Sequence, residues 1–335
     1  MQFEWINFYS EFATKLLEFK NNRAELIADI QSAYSAINMK LPKLEREDSI
    51  IDIDPFTVFG LFNKGITNAN RIAILESFAT VFNIKSKVPN NFDGIPVLNN
   101  LKATYYGFKD DRQAADIDNL WGLYESAINL AEKDDEANRE IFTKWYDTVH
   151  DQLGIRWNIT MGLYWIRPYE FINLDSINRR FIVDPDNMPV DFVNSVKKKL
   201  NKVPYAAEYL AIKDACLRAL KDGNYEYKNY PELSYRAWIV SKQVNQEKAE
   251  VKGKKSSKAA FLRWFAPLIQ ALRDLGGSGT PAEARAKIIE NEQLSEDEIN
   301  QTRGKNNVNK FENEVAFARN YLVNAGYIDK SVYGI

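Results

Sequence analysis

The sequence has very few of the residues that build metal sites and disulfide frameworks. Its 335 residues include one cysteine, Cys216, and one histidine, His150. A structural zinc site takes four Cys or His ligands, so none can form within one chain. A single cysteine allows no intramolecular disulfide, which is typical of a reducing cytoplasm. With His150 alone, no Ser-His-Asp catalytic set is credible. We therefore expect no metal and no cofactor.

The sequence also lacks membrane, export and nucleotide-hydrolysis signals. It has no run of 18 apolar residues, and Glu4 and Glu11 stand where a signal peptide would be basic and then apolar. We therefore expect a cytoplasmic protein with no membrane partner. Gly60 to Gly65, with Lys64, does not follow the G-x-x-x-x-G-K-[ST] order of a phosphate loop. No other segment is a better candidate, so we expect no nucleotide hydrolysis.

Charge is balanced, whereas aromatic residues are abundant. The net charge is −2, so any nucleic-acid surface has to be a local patch. The 19 Phe, 17 Tyr and 7 Trp residues, within a hydrophobic fraction of 45%, are enough for a sizeable core. The length predicts two domains or three.

Apolar spacing predicts a mainly α fold, with a large α-helical N-terminal domain over residues 1–240. Residues 157–166 fit either an alternating strand or a helix, and we favour a helix because the neighbouring segments are helical. The helices are predicted at about 3–38, 68–82, 116–132, 135–153, 190–200 and 205–222.

A basic stretch follows this domain. Lys242 to Lys258 contains six Lys against two Glu, with Gly253 and Ser256-Ser257. We interpret residues 241–259 as a flexible linker that leads into a second domain at 260–335. Its lysines either remain hydrated or contact phosphates.

Asn306 to Gly326 carries two contrasting helical faces. One face is an apolar stripe of Phe311, Val315, Ala318, Leu322 and Ala325, and Gly326 is placed to end the helix. The opposite face holds Asn309, Lys310, Asn313, Asn320 and Asn324. Asn is a poor helix former, but its amide can form two hydrogen bonds with adenine. A polar face that only meets water is the alternative. Residues 327–335 after this helix predict a β-hairpin, which completes the order of a winged helix.

Residues 261–335 resemble the N-terminal winged-helix domain of Mrr-type restriction proteins. The resemblance rests on Phe265-Ala266-Pro267-Leu268-Ile269, Ala271-Leu272, Gly276-Gly277, Phe311-Glu312-Asn313, Phe317-Ala318-Arg319, Tyr321-Leu322 and Ala325-Gly326-Tyr327-Ile328. It implies a small winged-helix (α+β) domain that binds double-stranded DNA, with helix 307–325 in the major groove. Asn306, Asn309, Lys310 and Asn313 are candidates for base or phosphate contact, and Arg303, Lys305 and Lys330 for phosphate contact. The family pattern continues beyond the hairpin, so we expect a longer natural protein.

Parts of residues 1–240 resemble the N-terminal region of McrB-like AAA+ restriction proteins. The segments are Phe8–Arg23, Pro55–Gly65, Trp157–Pro168 and Asn173–Ser176. The resemblance implies a phage-defence system that senses methylated or otherwise modified DNA. In such proteins a nucleoside-triphosphate motor follows this region and works with a separate nuclease subunit. We expect oligomerisation only together with that motor.

Two other functions remain open. The domains can instead hold partner proteins. Leu174-Asp175-Ser176 also resembles the setting of the catalytic Asp in helix-hairpin-helix DNA glycosylases, which would make Asp175 a catalytic candidate. The simpler role for Asp175 is a helix cap or an ion pair with an arginine. Trp157, Tyr164 and Trp165 are a possible pocket for an extruded base, or else core aromatics.

Overall fold

The computed structural model describes residues 3–46, 49–99, 103–255, 260–303 and 308–329, and of 245–255 it describes only the backbone. The chain forms two compact units, Met1–Lys242 and Gln243–Ile335. We call them unit 1 and unit 2. Within the described residues, no helix is long and apolar enough to cross a bilayer.

Unit 1 is built from helices, which confirms the predicted mainly α class. Its helices are α1 Trp5–Leu16, α2 Arg23–Ala36, α3 Pro55–Gly60, α4 Asn68–Val81, α5 Asp116–Glu132, α6 Glu136–His150, α7 Asn158–Ile166, α8 Ser176–Ile182, α9 Val190–Val196 and α10 Ala206–Asp222. A further helix, α11 Tyr230–Lys255, begins in unit 1 and continues past Lys242. Short 3₁₀ turns occupy Leu17–Phe19 and Lys199–Asn201.

Two ambiguous stretches of unit 1 are resolved. The predicted helix 3–38 is two helices, because the chain bends at Asn22, whose backbone is not helical (φ −137°, ψ 56°). Residues 158–166 form α7, so helix was the correct choice over strand. Every residue from Ile159 to Ile166 is buried. Burial on all sides explains why the sequence shows no clean helical period there.

Aromatic rings form the centre of unit 1. The ring of Phe12, on α1, lies 5.3 Å from that of Phe59 and 5.9 Å from that of Phe62. Phe78 and Phe82 approach Phe12 from the other side, at 5.6 Å and 5.4 Å. Tilted and edge-on pairs at these distances are favoured by the ring quadrupole, in addition to the burial of apolar area. The aromatic ridge of the first helix is therefore core.

Unit 2 is smaller. After a 3₁₀ turn at Ala260–Trp264 it contains α12 Phe265–Asp274, α13 Pro281–Glu292, α14 Glu296–Asn300, β1 Thr302–Arg303, β2 Val308–Asn309 and α15 Lys310–Asn324. β1 and β2 pair antiparallel, with Thr302 opposite Asn309. Capping boxes start α13 (Thr280 with Glu283) and α14 (Ser295 with Glu298). The buried side chains are Trp264, Leu268, Ala271, Ala284, Ile288, Phe311, Val315, Ala318 and Leu322.

The structure differs from the sequence prediction at two places in this region. Tyr327 and Ile328 are not a strand, because the backbone amides of both donate to the carbonyl of Leu322. The rest of the predicted hairpin, residues 330–335, lies outside the described residues. The basic stretch expected to be a flexible linker is helical as far as Lys255, where α11 ends. Lys, Glu, Gln and Ala are all good helix formers, and they outweigh the single Gly253.

Candidate nucleic-acid interface

Helix α15 buries the predicted apolar stripe. Phe311, Val315, Ala318 and Leu322 are at most 4% exposed. Ala325, predicted to extend the stripe, is exposed because the helix has already ended at Asn324. Gly326 ends it as predicted: its φ is +76°, its amide donates to the Val323 carbonyl, and the next amide donates to Leu322.

The outward face of α15 carries free amides. Asn313 is half-buried, whereas Asn320 and Asn324 are exposed, and the small side chain of Ala316 lies between the first two. Among the described residues, the side chains of Asn313, Asn320 and Asn324 have no hydrogen-bond partner. We call Asn313, Ala316, Asn320 and Asn324 the amide face. Its donors and acceptors are available to a ligand.

Asn309 has a structural role at the start of α15. Its Oδ1 accepts from the backbone N–H of Glu312 at 2.9 Å, and its Nδ2 donates to the Ile299 carbonyl at 2.8 Å. The helix therefore begins at Lys310, three residues later than predicted. Because both ends of this amide hold it against the protein, we assign Asn309 to the cap.

Only some of the residues predicted to contact phosphate lie within the described residues. Lys310 is half-buried and its Nζ donates to Gln301 Oε1 at 3.0 Å. The backbone of Arg303 belongs to β1, but its side chain is not described. Lys305, Asn306 and Lys330 lie outside the described residues.

The two acidic residues of α15 each contact a side chain elsewhere in unit 2. Glu312 pairs with Arg285 at 3.5 Å, and the buried Glu314 accepts from Trp264 Nε1 at 2.9 Å. Residues 261–335 contain nine Lys and Arg against ten Asp and Glu. Residues 261–335 therefore have no excess positive charge of their own, and the lysines of 242–258 are the nearest basic segment in the sequence.

The other candidate residues lie in unit 1, where they separate into two environments. Trp157 and Asp175 line an open cavity of about 540 Å³. Tyr164 and Trp165 are instead buried in the core, at 1% and 0% exposure, and Trp165 Nε1 donates to the Pro96 carbonyl at 3.0 Å. The three rings therefore do not share a pocket, because Trp157, just before α7, lines the cavity whereas Tyr164 and Trp165 lie on the core side of α7.

Asp175 caps helix α8. Its Oδ1 accepts from the backbone N–H groups of Ile177 and Asn178 at 2.9 Å and 2.8 Å. Asn178 Nδ2 donates to the same oxygen at 3.2 Å. The helix-cap interpretation is therefore confirmed. The residue missed by sequence reasoning is Arg71, which is buried at the wall of the same cavity. Its place at the fourth residue of a regular helix gave no signal.

Comparison with known proteins identifies families for both units. Residues 5–240, more than half of the chain, match the family model described as "Domain of unknown function (DUF8425)". Residues 261–335 match the model described as "Mrr N-terminal domain", which supports the resemblance seen in the sequence. The resemblance of unit 1 to McrB-like proteins finds no such support. No curated protein matches the chain, and no solved structure matches it either. The chain thus belongs to the DUF8425 family, and the segment that follows its DUF8425 region is similar to the Mrr N-terminal domain.

Proposed function

We propose that this chain is a DNA-recognition region of a restriction system and that α15 lies in the major groove of double-stranded DNA. One observation carries the proposal. In a segment that matches the Mrr N-terminal domain, α15 presents the unbonded amides of Asn313 and Asn320 on one outward face.

The spacing of these two amides suits a duplex. Asn313 and Asn320 are seven residues apart, so they lie on the same side of the helix, about 10 Å from each other along its axis. That separation is close to three base-pair steps, since one step is roughly 3.4 Å. Ala316 between them leaves room for a groove wall. Each amide can donate to N7 and accept from N6 of an adenine, which is the bidentate contact expected of Asn.

Phosphate contacts supply the remaining affinity. Residues 261–335 are nearly neutral, so we assign most of the favourable charge to Lys310, Arg303, Lys305 and Lys330 and to the lysines of 242–258. Binding through such contacts releases counterions and weakens as salt rises. Base contacts then decide between sequences, while phosphate contacts fix the position of α15.

Unit 1 extends the proposal to a McrB-like, phage-defence role. Its order in the chain, ahead of an Mrr N-terminal domain, fits a protein whose motor follows and recruits a separate nuclease. In this proposal the chain itself is not catalytic, and it tests DNA for methylated or otherwise modified bases.

The proposal is tested by selecting duplexes from a randomised pool with the full chain. We expect enrichment of adenine at two positions about three base pairs apart, on plain or methylated DNA. The double substitution Asn313→Ala and Asn320→Ala should remove that enrichment and keep the weaker, unselective binding. Asn291→Ala is the matched control, because this α13 amide bonds to Asp274 and lies off the amide face. An unchanged enrichment in the double variant would reject the docking of α15.

A second candidate function is binding of a partner protein. Phe317 and Tyr321, on the flank of the amide face, are 50% and 54% exposed and contact the ring of Phe261. Exposed aromatic clusters are typical of interface anchors. The test is the double substitution Phe317→Ser and Tyr321→Ser. If this surface holds a partner, the variant keeps DNA binding and loses co-purification with its nuclease subunit.

A further inference from the structure

The cavity in unit 1 has the size and the lining of a small-molecule site. Its volume of about 540 Å³ lies within the range of roughly 300–1,000 Å³ that is usual for ligand pockets. Phe92, Trp157 and Trp238 supply aromatic walls, and the backbone of residues 93–97 forms one rim. Pockets of this kind combine apolar walls with a few fixed polar groups. The polar groups here include Arg71, Arg179 and Asn178, together with the acidic residues Asp93 and Asp175.

Arg71 brings a buried and unpaired positive charge to this wall. The side chain is 5% exposed, and its guanidinium lies 4.7 Å from the ring centre of Phe92. Its Nη2 donates to the Lys64 carbonyl at 3.3 Å, but its Nε has no partner. No Asp or Glu within the described residues forms an ion pair with it, and burial lowers its pKa. A buried charge without a counterion is costly, so an anionic ligand would stabilise this group.

Arg179 brings a second guanidinium, already stacked on an aromatic ring. Its Cζ lies 3.6 Å from the ring centre of Trp157, and its Nη1 donates to the Leu174 carbonyl at 2.9 Å. Burial lowers the pKa of Arg179 despite the opposing effect of nearby Asp175. A guanidinium plane held in this way is a surface on which a nucleobase stacks. The Arg179 and Trp157 pair is therefore formed before any ligand arrives.

Asn178 adds an unused hydrogen-bond acceptor at a fixed position. The residue is 2% exposed, and its Nδ2 donates to Asp175 Oδ1 and to Ser234 Oγ, each at 3.2 Å. Ser234 Oγ in turn donates to the Gly94 carbonyl at 2.9 Å. Gly94 has φ +80°, and a Cβ there would meet the Tyr235 backbone at 2.7 Å, so the rim is tightly constrained. Asn178 Oδ1 has no partner, which leaves one acceptor for a ring N–H or amino group.

We infer that this cavity binds a single nucleotide, with its base against Trp157 and Arg179 and its phosphate balanced by the guanidinium groups of Arg71 and Arg179. This cavity thus combines a stacking surface, two guanidinium groups that form no ion pair within the described residues, and an acceptor without a hydrogen-bond partner. The nucleotide has two possible sources, a free mononucleotide or a nucleotide swung out of a nucleic-acid strand. The inference is independent of DNA binding by α15.

The test is calorimetric titration of the full chain with each nucleoside 5′-monophosphate, its nucleoside and inorganic phosphate. We expect at least one monophosphate to bind more tightly than its nucleoside and than phosphate. Arg179→Ala should weaken that binding by about tenfold or more, because it removes a charge-assisted hydrogen bond and the stacking plane. Arg180→Ala is the matched control, since this neighbour is exposed and does not line the cavity.

A second variant tests the cavity without touching its polar groups. Val97 lines the rim and is 47% exposed, so Val97→Trp should fill the opening and abolish binding while the melting temperature stays close to wild type.

A duplex with one unpaired nucleotide, offered to the Asn320→Ala variant, distinguishes the two sources of the nucleotide. If the variant binds this duplex more tightly than a fully paired one, and Val97→Trp removes the difference, the site takes a nucleotide from a nucleic-acid strand. If it binds only the monophosphate, the site takes a free nucleotide.

Three outcomes would overturn the inference. They are no binding of any monophosphate or unpaired nucleotide, inorganic phosphate bound as tightly as the monophosphates, and binding that survives both Arg179→Ala and Val97→Trp in folded protein.

Discussion

Unit 1 and unit 2 both consist mainly of helices, but they differ in the burial and the hydrogen bonding of their polar and aromatic side chains. In unit 1 aromatic rings pack against each other, as around Phe12, and several tyrosine hydroxyls donate within the unit, as Tyr124 does to the Ala13 carbonyl and Tyr9 to Asn63 Oδ1. In unit 2 a small core lies beneath a helix whose outward amides are unbonded and whose flanking rings, Phe317 and Tyr321, face solvent. The difference indicates that unit 1 uses these aromatic and polar groups in internal packing, whereas unit 2 presents some of its own at the surface.

The two units also differ in their charged groups. In unit 1, Arg139 pairs with Asp134 and with Asp214, and hydrogen bonds from Arg139 lower the pKa of Asp134. In unit 2 the corresponding outward groups of α15 are neutral amides. Neutral amides contribute little to long-range attraction, which explains why we assign affinity to phosphate contacts and selectivity to the amide face.

The largest expected effect concerns the two cores. Phe311→Ala should cost about 3–5 kcal/mol of unfolding free energy, because it leaves a cavity next to Trp264. A domain of this size has roughly 5–14 kcal/mol in total, so the loss should lower the melting temperature of unit 2 by about 12–40 °C. Phe12→Ala should cost a similar amount in unit 1 and leave unit 2 folded. Calorimetry should show two thermal transitions, each lowered by only one of the two substitutions. A single transition that shifts in both variants would show that the two units do not unfold independently.

The next effect concerns a carboxyl buried in unit 1. Asp54 is fully buried; its Oδ1 caps α3 through the amides of Phe56 and Thr57, and its Oδ2 has no partner. Burial raises the pKa of Asp54 to about 6. The folded chain then holds this proton more tightly than the unfolded chain, so the stabilisation present below about pH 4 is lost as pH rises through 6.

Asp54→Asn keeps the cap and removes the charge. Relative to wild type, the variant should gain about 2–3 kcal/mol in unfolding free energy between pH 4 and pH 7.5. Urea denaturation at both pH values measures this gain. If the difference in unfolding free energy between the two proteins does not change with pH, then burial does not raise the pKa of Asp54.

A smaller effect is expected on the salt dependence of DNA binding. It distinguishes phosphate contacts made by the basic stretch from contacts made by lysines of residues 1–240. Lys252→Gln, Lys254→Gln and Lys255→Gln together should reduce the slope of log affinity against log salt by about 0.9 for each lysine that contacts B-form DNA. The control is the same change at Lys197, Lys198 and Lys199, which are exposed in unit 1. Fluorescence anisotropy with a labelled duplex measures both. Equal loss in the control would place the phosphate contacts in unit 1 as well.

The smallest effect concerns a single lysine of unit 2. Lys310→Ala should weaken binding to every duplex by roughly fivefold to tenfold near 0.1 M salt, without changing sequence preference. Lys287→Ala, on α13, is the control, because its ammonium already pairs with Glu290 at 2.9 Å. Full affinity of Lys310→Ala at low salt would argue against the docked position of α15.

Local patterns in the sequence predicted most of the helices and the main features of α15. The stripe from Phe311 to Leu322 and the stop at Gly326 follow from spacing and from glycine's access to positive φ. Asn309 was harder to assign, because the same amide suits a cap and a base contact, and only the position of Ile299 decides between them. The cavity of unit 1 was not predictable as a set, since Arg71, Trp157 and Asn178 are distant in sequence and meet only through folding.

The central claim is that the amide face of α15 contacts DNA, and site-directed cross-linking tests it most directly. Cys216 is the only cysteine and is fully buried, so a cysteine introduced at the surface is the reactive thiol. The full chain carrying Asn320→Cys, labelled with a photoreactive group, should cross-link to bases of a bound duplex. Gln270→Cys, exposed on α12, should not. Cross-linking from both positions alike, or from position 270 alone, would contradict the account.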